Sequence, residues 1–246
     1  MLQHKNELLI PASYTDAHAQ LTTVGAFTLM QDIAGEHAER MGVGFKALLD
    51  NSSAFWVIAR TRLKLIRPAR IYEPVTLTTW PSKPAGAICI RNYELTSDAG
   101  ETLFLGKNEW VVMDAVTHRV RRLSTTCYPI DAEYSDRIAL PEPFSRFDEQ
   151  PAPEHYAYTH RVRYSDTDHV RHTNNVSYVR ILLDSLSSDF FEENIITDFE
   201  ITYIHESREG DDIAVYRIPT QEGCMLFGKN AEGEIIVSAK LTAKKR

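Results

Sequence analysis

The sequence is short of cysteine and has no long apolar run, and both shortages narrow the class of protein. Its three cysteines, Cys89, Cys127 and Cys224, lie far apart in a chain of 246 residues. An odd and widely spaced set predicts neither a disulfide framework nor a CxxC metal site. No apolar stretch approaches the length of a membrane span, and the first residues resemble no secretory signal. We therefore expect a protein of the cytoplasm, where thiols stay reduced, with no metal and no cofactor.

The chain also lacks an excess of positive charge, but its positive residues are clustered. Lysine and arginine number 27 against 34 acidic residues, a net charge of −7. This balance argues against non-specific binding of nucleic acid. The clusters are Arg60, Arg62, Lys64, Arg67 and Arg70; Arg119, Arg121 and Arg122; and Lys244, Lys245 and Arg246. They are either solvated strand faces and a frayed tail, or a surface for an acidic partner.

One polar segment, 164–178, concentrates the side chains that carry chemistry. It reads YSDTDHVRHTNNVSY and contains Asp166, Asp168, His169, His172 and the pair 174–175. An alternating pattern before it predicts a strand, and apolar residues spaced by three and four after it predict a helix with an asparagine N-cap. The segment is therefore predicted to be a strand-to-helix loop, close to backbone N–H groups that favour negative charge.

The order of predicted elements occurs twice. Strand, loop, helix and further strands at 7–113 recur after a proline-rich stretch at 128–154. Tyr164-Ser165-Asp166 echoes Tyr14-Thr15-Asp16 at an offset of 150 (164 − 14), and the later strands correspond at an offset of 138 (201 − 63). We predict an α+β fold of two tandem domains, 1–127 and 155–246, joined by a linker at 128–154. Each domain would be a long helix across an antiparallel sheet.

The two copies differ in their ionisable residues. With these offsets Asp168 lies opposite His18, His172 opposite Thr22, and Glu206 opposite Pro68. The first copy has instead an apolar helix and the tryptophans Trp56, Trp80 and Trp110. This division predicts chemistry in the C-terminal copy and binding of an apolar ligand in the N-terminal copy.

Hydrolysis of an acyl compound by water needs a general base, a group that orients it and donors for the oxyanion. Glu206, in a predicted strand at 199–207, is a candidate base. His172 can position water or the acyl carbonyl, Asp168 can orient the imidazole, and the helix that begins after Asn174 can supply N–H donors. No serine or cysteine stands in a nucleophile-elbow motif, so direct attack by water is favoured over an acyl-enzyme.

Each of these residues also has a structural interpretation. Asp168 can bond its own loop backbone, Asn174 can be a helix cap, and Glu206 can be a surface charge. The histidines and aspartates could form a metal site, although their spacing is loose. For each residue taken alone, the structural interpretation is favoured. Because these residues occur together in one copy of the repeat, a catalytic role for the group is favoured.

The polar segment resembles the SDxDxNxHVNNxxY motif of acyl-acyl carrier protein (acyl-ACP) thioesterases. Thr78–Thr79–Trp80–Pro81 is similar to the TWP signature of that family, and 110–114 is similar to its W-x-x-M-D strand. The resemblance implies two fused hotdog domains and matches Asp168, His172 and Glu206 to the family's acidic and histidine residues. Two positions depart from the pattern: Ser207 replaces a cysteine of plant members, and Val170 replaces an asparagine.

The resemblance also implies a substrate and a partner. The substrate would be a fatty acyl thioester on the phosphopantetheine of an acidic ACP, hydrolysed to a free fatty acid. Its chain would lie in an apolar tunnel between the first helix and its sheet, where Met30, Ile33 and Trp56 limit its length. His169 or Asn174 would take the place of the missing asparagine. An acyl-CoA thioesterase and a non-catalytic acyl-binding module remain alternatives, and the chain is a monomer or a homodimer.

Overall fold

The computed structural model describes residues 2–246. These fall into two compact units, one that ends at Glu142 and a second that spans Pro143–Arg246. Much of the predicted linker belongs to the first unit: Tyr128 and Leu140 are buried, and Trp80 Nε1 donates a hydrogen bond to Arg137 O at 2.8 Å. Among residues 2–246, no helix is both long enough and apolar enough to cross a membrane. The predicted domain limits stay a prediction.

The first unit is built on an antiparallel sheet, as predicted. Its elements are β1 (His4–Leu9), α1 (Thr23–Arg40), α2 (Phe45–Ser52), β2 (Ala54–Leu65), β3 (Pro74–Pro81), β4 (Ile88–Ser97), β5 (Thr102–Asp114) and β6 (Val120–Arg121). The strand order is β1-β3-β4-β5-β2, with β6 paired to β5. Strands β2 to β5 confirm the strand-like runs predicted at 54–66, 74–80, 86–96 and 103–113. From the sequence, residues 7–15 are predicted to form the first strand. This placement is too late, because β1 begins at His4 and the chain leaves the sheet after Leu9 to form a 3-10 turn at Ala12–Tyr14.

Helix α1 covers this sheet through its apolar face. Thr22 caps the helix by accepting a hydrogen bond from Gly25 N, which satisfies one of the N–H groups without a helical partner. Met30 and Ile33 are each 1% exposed. A Cβ atom on Gly106 of β5 would lie 2.8 Å from Met30 Cε. The absence of a side chain at this position therefore lets the helix approach the sheet closely.

The second unit repeats this architecture with a shorter helix. Its elements are β7 (Tyr156–Arg161), α3 (Asn175–Leu183), α4 (Ser188–Glu193), β8 (Asn194–Tyr203), β9 (Asp212–Thr220), β10 (Gly223–Lys229) and β11 (Ile235–Lys245). The strand order β8-β11-β10-β9-β7 reproduces β2-β5-β4-β3-β1 of the first unit. The predicted duplication is thus confirmed. The predicted strand 199–207 is wrong at its end: β8 stops at Tyr203, so Glu206 lies in the following loop.

The offset of 150 predicted for the loop before the helix is also wrong. The 3-10 turns Ala12–Tyr14 and Tyr164–Asp166 correspond at 152 (164 − 12), and the helix caps Thr22 and Asn174 correspond at 152 (174 − 22). The Tyr-x-Asp echo is misleading because backbone hydrogen bonds, rather than residue identity, set the correspondence. Asp168 therefore lies opposite Asp16 instead of His18, and His172 lies opposite Gln20 instead of Thr22.

A candidate active site in the second unit

The loop before α3 is held in shape by Asp168. Its Oδ1 accepts hydrogen bonds from Val170 N at 2.9 Å and His172 N at 3.3 Å, and its own N–H donates to His172 O at 2.9 Å. Arg171 closes the turn in the left-handed region, with φ of 63°. A carboxylate that accepts from its own loop is a common way to fix a tight turn. Asp168 thereby fixes where the backbone of His172 lies.

Asp16 does the same in the first unit. Its Oδ1 accepts from His18 N at 2.9 Å and Gln20 N at 3.0 Å. The loop carboxylate is therefore common to both units, contrary to the prediction that it is specific to the second. The difference between the units lies in two other positions, where His172 and Glu206 stand opposite Gln20 and Pro68.

His172 and Glu206 are in direct contact. Nδ1 of His172 lies 3.2 Å from Oε2 of Glu206. On the other side of the ring, Nε2 lies 3.2 Å from Arg208 Nη2, which also donates to Glu206 Oε1 at 2.9 Å. A guanidinium can only donate, so Nε2 accepts and the proton is on Nδ1, the ring nitrogen nearer Glu206. This network assigns the tautomer of the ring.

Sequence reasoning missed Arg208. The only sequence feature that pointed to Arg208 was its position two residues after Glu206. Its contact with His172 depends on the pairing of two loops, which the sequence does not show. His172 and Arg208 form an antiparallel backbone bridge, and their residue numbers differ by 36. With Glu206, they form a connected acid–imidazole–guanidinium group, which we call the Glu206–His172–Arg208 triad.

The triad is open to water above a buried layer of hydroxyl groups. The side chains of His172 and Glu206 are 29% and 53% exposed. Beneath them Ser207 is 4% exposed, and its Oγ lies 2.7 Å from both Thr173 Oγ1 and Tyr178 OH. These bonds tie the loop after β8 to α3. They also occupy the Ser207 hydroxyl, which therefore does not face the triad as a nucleophile.

The remaining predicted loop residues lie around the triad without joining it. Asn174 is the N-cap of α3, with Oδ1 accepting from Val176 N at 2.8 Å. His169 is exposed, and Val170 is 39% exposed with its N–H bound to Asp168. The structure thus brings His172 and Glu206 together, and it places Asp168 and Asn174 on the backbone of the loop.

Asp166 anchors the same loop from below. It is buried and accepts hydrogen bonds from His160 Nε2 at 2.8 Å, Arg163 N at 2.8 Å and the guanidinium of Arg180. Burial acts to raise the pKa of Asp166, but the bonds from Arg163 and His160 and the charge of Arg180 hold it below its usual value. The ionised carboxylate joins β7 to α3.

The residues predicted to bind an acyl chain lie in the first unit. Met30 and Ile33 line the face of α1 that packs on the sheet. Trp56 belongs to a neighbouring apolar cluster with Val43 and Leu48. Its Nε1 donates to Val43 O at 2.8 Å, and its ring meets that of Trp110 edge to face at 6.0 Å.

Comparison with known proteins gives this architecture a family. Residues 1–129 match the model of the acyl-ACP thioesterase N-terminal domain, and residues 149–244 match that of the acyl-ACP thioesterase C-terminal domain. Among curated relatives, oleoyl-acyl carrier protein thioesterase 1 of Arabidopsis thaliana is 21% identical over 90% of this chain and 65% of its own length. A palmitoyl-acyl carrier protein thioesterase of the same plant is 24% identical over 89% of this chain and 55% of its own. The chain thus spans less than two thirds of either relative.

Solved structures match over nearly the whole chain. An acyl-ACP thioesterase from Bacteroides thetaiotaomicron superposes with a TM-score of 0.89 at 20% identity, covering 98% of both chains. The 12:0-ACP thioesterase of Umbellularia californica gives 0.87 at 16% identity, covering 100% of this chain and 98% of its own. These matches confirm the predicted α+β fold of two tandem hotdog domains. Because both family models match and together cover most of the sequence, the chain belongs to the acyl-ACP thioesterase family.

Proposed function

We propose that the chain hydrolyses fatty acyl-ACP thioesters to free fatty acids, as a step of fatty acid biosynthesis. The observation that carries this proposal is the 3.2 Å contact between Glu206 and His172, next to the start of α3, in a member of this family. The named relatives are thioesterases of oleoyl-, palmitoyl- and 12:0-ACP. A fatty acyl chain is therefore the expected substrate class.

The proposed reaction is direct attack by water. Glu206 removes a proton from a water molecule, whose oxygen bonds to the thioester carbonyl carbon. Backbone N–H groups at the start of α3 stabilise the resulting oxyanion. The carbon–sulfur bond then breaks, and the thiolate of the phosphopantetheine takes up the proton held by Glu206. His172 positions the water and carboxylate, and Arg208 fixes the tautomer of His172.

The proposed partner is an acidic carrier protein. Not every arginine of the clusters is available to it, because Arg60 pairs with Glu109 at 3.1 Å and Arg67 pairs with Glu73 and Glu101 at 2.8 Å each. Exposed positive side chains remain at Lys64, Arg70, Arg119 and Arg122. Such charges favour docking of an acidic protein and make the association sensitive to salt.

The test is turnover of matched thioesters. Free-acid release is measured with ACP thioesters of different chain length and with the same acyl groups on CoA, using the unmodified protein. We expect faster release from ACP, at a rate that falls as salt is added. Faster release from CoA would favour an acyl-CoA thioesterase. Binding of acyl chains with no release above the buffer rate would favour a non-catalytic module.

A further inference from the structure

The sheet face beneath α1 is not wholly apolar. Polar side chains stand side by side on two adjacent strands: Arg91 and Tyr93 on β4, and Asn108 and Trp110 on β5. Arg91 lies directly opposite Asn108 in the register, and side chains two residues apart along a strand share a face. Helix α1 covers this face, since Arg91 Nη1 lies 2.8 Å from Nδ1 of His37 on that helix. We call these four residues the polar core cluster.

One acceptor of the cluster, Asn108 Oδ1, is buried without a hydrogen-bond partner in the part of the chain that the structure describes. Tyr93 OH and Trp110 Nε1 are also buried and lie next to each other, so the indole N–H can donate to the phenolic oxygen and leaves the phenol proton without an acceptor. Tyr93 is 0% exposed and Asn108 is 2% exposed. A buried polar group without a partner is costly, and phenylalanine or leucine at these positions would avoid that cost. Such groups therefore call for a ligand or a functional explanation.

Arg91 adds a buried positive charge. Its side chain is 5% exposed and contacts His37 and, at 3.4 Å, Thr79 Oγ1. No carboxylate in residues 2–246 forms a salt bridge with it. Burial, reinforced by the charge of Arg91, lowers the pKa of His37 to about 4, so the imidazole stays neutral and accepts. The polar core cluster thus offers donors from Arg91 and Tyr93 and an acceptor from Asn108, while the Trp110 N–H is directed at Tyr93 OH.

We propose that the polar core cluster binds a hydroxyl group on the acyl chain, and that hydroxyacyl thioesters are the preferred substrate class. This inference rests on the proposed function, which places the acyl chain between α1 and the sheet, beside Met30 and Ile33. A hydroxyl group both donates and accepts, so it can donate to Asn108 Oδ1 and accept from Arg91 or Tyr93. A keto oxygen or a carboxylate only accepts and leaves Asn108 Oδ1 unpaired. A methylene group satisfies none of these atoms.

The first experiment measures binding without catalysis. Free fatty acids of equal length, either unsubstituted or with one hydroxyl group moved along the chain, are titrated into the full-length protein by calorimetry. We expect at least one hydroxyl isomer to bind ~10-fold more tightly than the unsubstituted acid, the effect of satisfying buried groups that otherwise lack partners. The corresponding ACP thioesters are compared by their kcat/KM values, and the same isomer should be preferred.

Two substitutions remove the groups that the hydroxyl is proposed to meet. Tyr93→Phe deletes only the phenolic oxygen, and Asn108→Leu deletes the acceptor at nearly constant volume. Each should reduce the preference for the hydroxy acid over the unsubstituted acid to less than ~3-fold. The matched control is Tyr134→Phe, because Tyr134 OH already donates to Pro129 O at 2.7 Å. That variant should keep the full preference.

The outcomes separate this inference from the proposed function. Equal affinity for all acids, or a preference that survives in both variants, overturns the subsite; an internal water that satisfies the cluster would give this result. Preferential binding of a hydroxy acid without hydrolysis of any thioester would support the subsite and reject the proposed function. Hydrolysis of thioesters with no preference for a hydroxyl group would support the proposed function and reject the subsite. Circular dichroism melting of both variants checks that the fold is retained.

Discussion

Glu206→Gln is the most informative single change at the proposed active site. The glutamate carboxylate has Oε2 3.2 Å from His172 Nδ1 and Oε1 2.9 Å from Arg208 Nη2. Glutamine has nearly the same shape and can still accept one of these bonds. What it cannot do is take a proton from water. The substitution therefore removes the base and leaves the loop in place.

The expected loss follows from this geometry. Positioned general bases contribute about 10²–10⁴-fold, so we expect kcat to fall by at least ~100-fold, which corresponds to about 2.7 kcal/mol of transition-state stabilisation. KM should change little, because the side chain is 53% exposed and is not predicted to contact the acyl chain. The assay is free-acid release from a saturating acyl-ACP thioester. Circular dichroism melting checks that the fold is retained.

A neighbouring carboxylate supplies the matched control. Glu209 is exposed in the same loop, and its side chain forms no hydrogen bond or ion pair with the triad among the described residues. Glu209→Gln removes the same charge and should leave kcat near that of the unmodified protein. Equal losses in the two variants would assign the effect to net charge. An unchanged rate in Glu206→Gln would refute Glu206 as the base.

Further predictions concern the loop and the first unit. His172→Ala should lower kcat at least ~10-fold more than His169→Ala, because His172 contacts Glu206; the reverse order in the free-acid assay would contradict the triad. Asp168→Ala and Asp16→Ala each remove an acceptor of two backbone hydrogen bonds. Each should lower the free energy of unfolding by about 1–3 kcal/mol in urea titrations. Only Asp168→Ala should also lower kcat. Burial, and after it the neighbouring positive charges, lowers the pKa of His37 from 6.5 to about 4. As the pH falls, His37 therefore takes up a proton in the unfolded chain before it does so in the folded protein. The free energy of unfolding should be unaffected by His37 above pH ~6.5 and should decline by about 3 kcal/mol between pH ~6.5 and pH ~4. The decline should be shallower in His37→Gln.

The regular elements could be predicted from the sequence because their patterns are strong. Strands β2 to β5 are strand-like runs separated by turn residues, and α1 carries its apolar residues at helical spacing up to Gly42. The eight-residue helix Phe45–Ser52 was missed, since it is short and begins at Gly44 without a capping side chain. The duplication was recognised, but its offset before the helix was wrong, because residue identity does not reveal which N–H groups Asp16 and Asp168 bind.

The residues of the candidate site could be predicted from the sequence better than the contacts between them. The sequence singled out His172 and Glu206 as residues for one reaction. It offered a backbone-bonded Asp168 as one interpretation, and the structure shows these bonds. It could not show that Arg208 binds the imidazole, because that contact depends on how two separate loops pair. Likewise, only the packing of α1 on the sheet reveals that Arg91 is buried against His37.

The most direct test of the account is a double-mutant cycle on hydrolysis of a fatty acyl-ACP thioester. The rate of free-acid release is measured for the unmodified protein, for Glu206→Gln, for His172→Ala and for the double variant. Residues that act as one unit are strongly non-additive. We expect release well above the buffer rate by the unmodified protein and a double variant no slower than the slower single variant. The absence of release from the unmodified protein, or losses that simply multiply, would contradict a joint role of Glu206 and His172.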